Sequence, residues 1–437
     1  MFSAFVQYLF ILSSYPLARW ILPHIKTRNN SIIFHITFGF LSCVLLYKTG
    51  LISALVMLTI GYYILDNNPY IVLLISFSMN FLTQLLQLYF PNHPRVCSFS
   101  KMIFFKIVAT SFNLYDGKKL KTKDDEFTKR QKITYLTQKP TLYEWLAYCF
   151  TPFGAVSLSF YEFRLFNIIL EIGSPKRQLS KESQTKAFKC LQQSFLHFTV
   201  YFGFRHLFSL KFYKSEFFLS LNVIVRIFLV LFLGVIIYSR FFMQWKAVDA
   251  GLYEAGFLDS GIIEEDEFNS LSLFNLLSKS STKEFSKAFN HTTNLFWSNY
   301  LKSRAPESGI SQSAYDMASF FLKPFLRGPY GGYLLGAFER KLFVSAESYI
   351  QFLAPKYTSN FFWAEYIFTQ VFMIANKASI RFKTIHAFIY VNYVILFFFW
   401  MSASAIIVVG FFLSKKVENE KKEKTEETED QQHVKKD

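Results

Sequence analysis

An all-α, multi-pass transmembrane helical bundle is the fold class this sequence predicts, and three observations predict it. Of 437 residues, 52% are hydrophobic, 55 of them phenylalanine, and the mean hydropathy is +0.22. A soluble chain of this length does not need so much apolar surface to fill a core. Apolar runs of about 20 residues, enough to cross a hydrocarbon layer, recur along the chain. The basic residues behind the net charge of +16 fall mostly between those runs. That distribution is the one expected of cytosolic loops of a membrane protein. It argues against a patterned nucleic-acid face, so no nucleic-acid partner is expected.

The spanning segments are predicted near 4–22, 31–47, 50–66, 70–90, 142–160, 190–210, 217–243, 330–350, 360–376 and 387–413. The first has no basic leader ahead of its apolar stretch. It reads as a membrane helix or an embedded hairpin kinked at Pro16, not as a cleaved signal. The clearest are "FFLSLNVIVRIFLVLFLGVIIYSRFF" and "AFIYVNYVILFFFWMSASAIIVVGFFL", each long enough to cross with some tilt.

Between the spans, residues 116–141 are charged and lysine-rich. They read as a solvated cytosolic connection, with contact to anionic headgroups or an acidic substrate as the sharper alternative. Residues 281–304 set Phe285, Phe289, Phe296, Trp297 and Tyr300 at helical spacing among lysines and hydroxyl residues. A helix lying in the membrane interface, or dipping below it, is predicted there. The chain thus divides into a polytopic domain over 1–414 and a charged tail over 415–437. The tail is too polar to bury a core and is expected to be disordered and cytosolic. Cys43, Cys97, Cys149 and Cys190 are far apart and form no C-x-x-C pair. They read as small core hydrophobes, with no disulfide frame and no metal site expected.

One stretch does not fit a plain span. "FFLKPFLRGPYGGYLLGAF" (320–338) interrupts an apolar run with Arg327 and a glycine-rich turn. Non-helical backbone at membrane depth persists only where it is buried in protein or lines a cavity. Gly328, Gly331 and Gly332 permit such a break. Arg327 itself reads either as a cavity residue or as a cation that snorkels or pairs inside the bundle, with Glu339 and Glu347 following at helical distances.

Five stretches, in order, resemble one family. "KIVATSFNLYDG" (106–117) is similar to a Ser-Phe…Tyr-Asp-Gly signature. "CFTPFGAVSLSFYEF" (149–163) is similar to a Phe-Pro…Gly-Pro…Asp/Glu-Tyr segment, with Ser157 and Leu158 where Gly-Pro is usual. "WKAVDAGLYEAGFLDSG" (245–261) resembles a Trp-Lys…Gly-Phe-x-x-x-Gly stretch. "FNHTTNLFW" (289–297) resembles the Trp-Asn-x-x-Thr-Asn-x-Trp segment, with Phe289 in place of the first tryptophan. The 323–333 stretch resembles Ser-Ala-Phe-Trp-His-Gly-x-Tyr-Pro-Gly-Tyr, with Phe325, Gly328, Tyr330, Gly332 and Tyr333 in register. The family is the membrane-bound O-acyltransferases, and within it the lysophospholipid acyltransferases.

The resemblance implies a helical bundle around an internal chamber in the endoplasmic reticulum membrane. It implies transfer of an acyl group from acyl-CoA, a co-substrate and not a resident cofactor, to a lysophospholipid hydroxyl. It places the family's asparagine at Asn290, and Thr293, Asn294, Tyr330 and Tyr333 among substrate-binding residues. It also places Arg327 where the family's essential histidine stands. An arginine stays protonated and cannot take a proton as that histidine does, although it can bind a phosphate or an oxyanion.

Of His24, His35, His93, His197, His206, His291, His386 and His433, the neighbour His291 is the substitute base by position. Its bland alternative is an interfacial histidine, while His197 and His206 read as polar residues of the bundle interior. Asn290-His291-Thr292 is also a glycosylation sequon, as is Asn29-Asn30-Ser31. Two other functions stay open beside the enzyme. One is a catalytically impaired relative that binds lipid or acyl-CoA or acts as a scaffold. The other is a transporter, which the absence of an internal repeat disfavours.

Overall fold

The computed structural model describes residues 2–89, 97–120, 127–157, 159–174, 179–205, 212, 215–270, 272–279, 281–305, 309, 311–328 and 331–353. They form helices joined by turns, with no strand among them. The predicted spans at 360–376 and 387–413 and the tail lie outside the described residues.

The chain falls into two units. The first comprises Met1–Leu207, Ile236–Leu273 and Lys287–Tyr333; the second comprises Phe208–Val235, Phe274–Ser286 and Leu334–Asp437. Helices are labelled in chain order: α1 (Phe2–Leu12), α2 (Arg28–Tyr47), α3 (Leu51–Ile64), α4 (Pro69–Tyr89), α5 (Cys97–Lys119), α6 (Lys129–Thr134), α7 (Leu142–Phe150), α8 (Phe163–Leu170), α9 (Lys181–Phe204), α10 (Val223–Glu254), α11 (Thr282–Ala288), α12 (His291–Trp297), α13 (Gln312–Arg327) and α14 (Gly331–Leu353). Among the described residues, three stretches are long and apolar enough to cross a membrane: Arg28–Ile64, Pro69–Leu86 and Ile224–Ser260. The first bends at Lys48–Gly50, between α2 and α3, where Lys48 takes φ +46°.

Local sequence sets the helix starts. Thr27 accepts from Asn30 N ahead of α2, and Ser180 and Ser311 do the same for α9 and α13. Thr128 with Gln131, and Thr141 with Glu144, form reciprocal capping boxes at α6 and α7. Each bond satisfies an amide that the helix geometry leaves without a partner.

The first unit has α5 at its centre. Met102–Phe105, Ile107–Ala109 and Phe112 are all buried. The α4 and α5 helices form an antiparallel pair whose register is fixed by Phe77 against Phe104 (ring centroids 6.5 Å apart) and Tyr70 against Phe112 (5.5 Å). The α2 and α7 helices approach closely at Gly39, where an added Cβ would fall inside van der Waals contact of the Phe150 carbonyl. Gly39→Ala is therefore expected to force two backbones apart and cost about 1–3 kcal/mol. Thermal unfolding of the purified protein reads the loss. An unchanged midpoint would mean that α7 shifts freely.

Three sequence expectations are corrected. The predicted span at 142–160 is not one helix: α7 stops at Phe150, and Thr151 (ψ 136°) is extended, as the residue before Pro152 prefers to be. Gly154, at φ +144°, then turns the chain. Residues 116–141 are not a simple solvated connection. The α5 helix runs on to Lys119, Asp116 is 1% exposed, and 129–134 form α6. The interfacial helix predicted over 281–304 is broken between α11 and α12. The faces of Phe296 and Tyr300 are covered by protein and not by lipid, because Phe105, Phe112 and Phe160 pack against them. The first segment also differs in detail: α1 ends at Leu12, and a wide helical turn, Leu17–Ile21, follows Pro16 directly.

Candidate functional site

Four of the five resemblance stretches are tied together by side chains of the first unit. Tyr300 Oη, in the turn that continues α12, shares its proton between Asn113 Oδ1 (3.1 Å) and Glu162 Oε1 (3.2 Å). Glu162 is 1% exposed and is held by the Arg130 fork, with Nη2 to Oε2 at 2.6 Å. Arg304 donates both terminal nitrogens to Asp116, at 2.7 and 2.5 Å. Trp245 Nε1 donates to Ser157 O (3.1 Å), and Phe289 lies against the Trp245 ring at 5.1 Å. Phe160 N donates to Thr292 Oγ1 at 3.3 Å. The irregular 151–162 stretch is thus pinned between α10 and α12.

Asn290 stands at the start of α12 with φ +54° and ψ +54°, the left-handed region that asparagine tolerates better than most residues. An asparagine before a helix usually caps it through its side-chain oxygen. Here no such bond forms, and Oδ1 is buried with no hydrogen-bond partner among the described residues. Leaving such an acceptor unpaired costs about 1–3 kcal/mol, so the position points to a ligand or water. The turn is held by Asn294, whose Nδ2 donates to Lys287 O and Phe289 O, both at 2.9 Å. The sequon threonine, Thr292, is buried and its hydroxyl is bonded to Phe160 N.

Arg327 is the last residue of α13. Gly328 follows at φ +132°, a backbone that favours glycine, and α14 begins at Gly331. The two final carbonyls of α13 receive side-chain donors: Gln84 Nε2 to Leu326 O (2.9 Å) and Lys101 Nζ to Arg327 O (3.2 Å). A lysine at a helix C-terminus also suits the helix dipole. The Arg327 guanidinium makes no ion pair among the described residues, with Tyr333 its titratable neighbour. Tyr330 lies outside the described residues.

A ladder of contacts along α5 orders these parts. Lys101 meets Arg327, Phe105 meets Phe296 (4.6 Å), Phe112 meets Tyr300 (6.1 Å) and Asp116 meets Arg304. The α12 helix therefore runs parallel to α5. Asn290 lies six residues before Phe296, or about 9 Å of helix rise, which carries it towards the Lys101 level. On α13, both Tyr315 and Lys323 reach Trp297, and the helix then continues to Arg327 at Lys101. Asn290 and Arg327 thus lie at the same end of the unit.

No family model matches the chain. Over 156 residues it is 24% identical to a membrane-bound acylglycerophosphatidylinositol O-acyltransferase of Danio rerio. The aligned part is 36% of this chain and 32% of that protein, so the similarity spans about a third of the relative's length. The similarity supports the membrane-bound O-acyltransferase family. The long apolar helices agree with a membrane protein.

The remaining sequence candidates sort as follows. His291 is half-buried, with no hydrogen bond among the described residues, and directly follows Asn290. Thr293 and Tyr333 are half-buried. His197 is buried, with Nδ1 3.3 Å from Ser239 Oγ and its ring against Phe242, in keeping with an interior polar residue. His206 lies outside the described residues. Sequence reasoning missed Gln84 and Lys101, which hold the Arg327 turn, and Glu162 and Arg130, which anchor the 149–163 stretch. A signal for Gln84 was present: Ser76, Asn80 and Gln84 recur every fourth residue in an apolar span, and polar groups at membrane depth are functional candidates.

Proposed function

We propose that this protein is a membrane-bound acyltransferase that moves an acyl group from acyl-CoA to a lysophospholipid hydroxyl, in the endoplasmic reticulum membrane. The observation that carries the reading is the buried, unpartnered amide oxygen of Asn290 at the same end of the unit as Arg327. In the step proposed, the lipid hydroxyl oxygen attacks the thioester carbonyl, the hydroxyl proton passes to a base, and the C–S bond breaks. The CoA thiolate leaves and is then protonated. The unpaired Asn290 Oδ1 accepts from the base and orients it, while Nδ2 donates to the developing oxyanion; Arg327 offers a fixed cation to the oxyanion or a phosphate, and His291 is the base closest in sequence.

The test is acyl transfer by the purified protein across lysophospholipid headgroups, with Asn290→Gly beside the wild type. Glycine accepts the left-handed backbone, so the substitution removes the amide and spares the turn. A loss of about 10²-fold, the scale of one oxyanion donor, is expected with the melting temperature held. Equal turnover would remove Asn290 from the site.

Arg327 favours a second reading, an impaired relative that keeps the binding site without the family's base. Acyl-CoA binding with no transfer to any headgroup would decide for it.

A further inference from the structure

Asn80 is 0% exposed, and neither Nδ2 nor Oδ1 has a hydrogen-bond partner among the described residues. Gln84, one turn on, is 2% exposed. Its Nε2 holds Leu326 O, but its Oε1 is buried and unpartnered. In the α4–α5 register, Phe77 lies level with Phe104, so Asn80 lies level with Lys101 and the Arg327 turn. Asn80 also shares a helical face with Phe77, Phe81 and Gln84. That face meets Phe104, Phe325 and Leu326 O. Two side-chain amides thus present one free N–H₂ group and two free oxygens within an aromatic surround.

Such a site suits an uncharged ligand part that brings one acceptor and one donor. The amides carry no charge of their own, and the cations Lys101 and Arg327 lie at the same level for a charged group that follows. We propose that Asn80 and Gln84 bind the glycerol portion of a monoacyl phospholipid. Asn80 Nδ2 donates to the ester carbonyl, and the free hydroxyl donates to Asn80 Oδ1 or Gln84 Oε1. The acyl chain runs among the phenylalanines. Arg327, at the same level, faces the phosphate that follows. The inference rests on the acyl-transfer reading and adds to it the residues that select the acceptor.

The experiment uses the full chain in nanodiscs with 1-oleoyl lysophosphatidylinositol, -choline, -ethanolamine and -serine, each ¹³C-labelled at the ester carbonyl. Infrared difference spectra report the hydrogen bond at that carbonyl, and titration gives the affinity. With the wild type, the carbonyl band of the lipid that binds is expected to move to lower frequency. With Asn80→Leu it is expected to return to the free position, with affinity about tenfold lower, the worth of one hydrogen bond. A 2-deoxy analogue of the same lipid should bind the wild type more weakly; Asn80→Leu loses that difference where Asn80 Oδ1 is the acceptor and keeps it where Gln84 Oε1 is, and equal binding of the two lipids to the wild type would overturn the hydroxyl contact. Leucine replaces an unpaired buried amide at near-equal volume, so the fold should hold; if it does not, Asn80→Ser carries the same readout. An unmoved band and equal affinity in the variant would overturn the proposal while leaving a wild type that transfers acyl groups an acyltransferase. Failure of every lysophospholipid to bind the wild type would overturn both together.

Discussion

Arg304→Ala is expected to destabilise the protein by about 3–5 kcal/mol, the usual cost of stranding one member of a buried ion pair. Arg304 and Asp116 are 2% and 1% exposed, and the pairing is bidentate, at 2.7 and 2.5 Å. Arg304 Nε also donates to Asn299 O (3.2 Å), and its guanidinium lies 4.7 Å over the Phe112 ring. Removing the arginine leaves the Asp116 carboxylate without a counter-ion between α5 and the turn after α12. The control is the double variant Asp116→Leu with Arg304→Met, which removes both charges and should recover most of the loss. Thermal unfolding of the two proteins in detergent separates the cases. A single variant as stable as the wild type would show that water reaches Asp116. The pair also bears on the site, because it fixes the far end of the helix that Asn290 begins.

The bundle was legible because long apolar runs carry their own signal. The spans at 31–47, 50–66 and 70–90 correspond to α2, α3 and α4 within a few residues. What apolarity cannot say is whether a run faces lipid or protein. Residues 97–119 are interrupted by Ser100, Lys101, Lys106, Ser111 and Asn113, and no span is predicted over them. They form the central helix because the long polar groups among them are met by others: Lys101 by the Arg327 carbonyl, Lys106 by the Tyr148 carbonyl and Asn113 by Tyr300. Partners distant in sequence turn a polar interruption into a buried one. The same blindness explains 281–304. Its aromatic face was real, but Phe105, Phe112 and Phe160 cover it, and these come from two other segments.

The site was legible as short motifs and not as geometry. The sequence predicted one helix through 281–304 and so through Asn290; the chain breaks there, and asparagine tolerates the left-handed backbone of the break. No motif marked Gln84 or Lys101, whose role is to meet two backbone carbonyls of α13. A backbone acceptor carries no residue identity, so such a contact leaves little trace in the sequence. The glycines of the 320–338 stretch were the better guide: Gly328 takes φ +132°, so the chain turns where the sequence required it.

Arg327→His is expected to raise acyl transfer by about 10², the lower part of the range that a positioned general base contributes. The backbone there is held independently of the side chain, by Gln84 on Leu326 O and Lys101 on Arg327 O. The turn should therefore survive the exchange. Arginine stays protonated and cannot accept the hydroxyl proton, whereas histidine titrates near pH 6.5. The restored base works in its neutral form, so the gain should be small at pH 5.5, rise through about pH 6.5 and level off above it. The wild type should lack that inflection unless another histidine serves. If His291 has taken the role, Arg327→His will add nothing, and His291→Ala will abolish turnover. Wild-type transfer that survives His291→Ala, together with an Arg327→His rate unchanged at every pH, would remove both groups from the proton transfer. The reaction would then need a base outside these two positions.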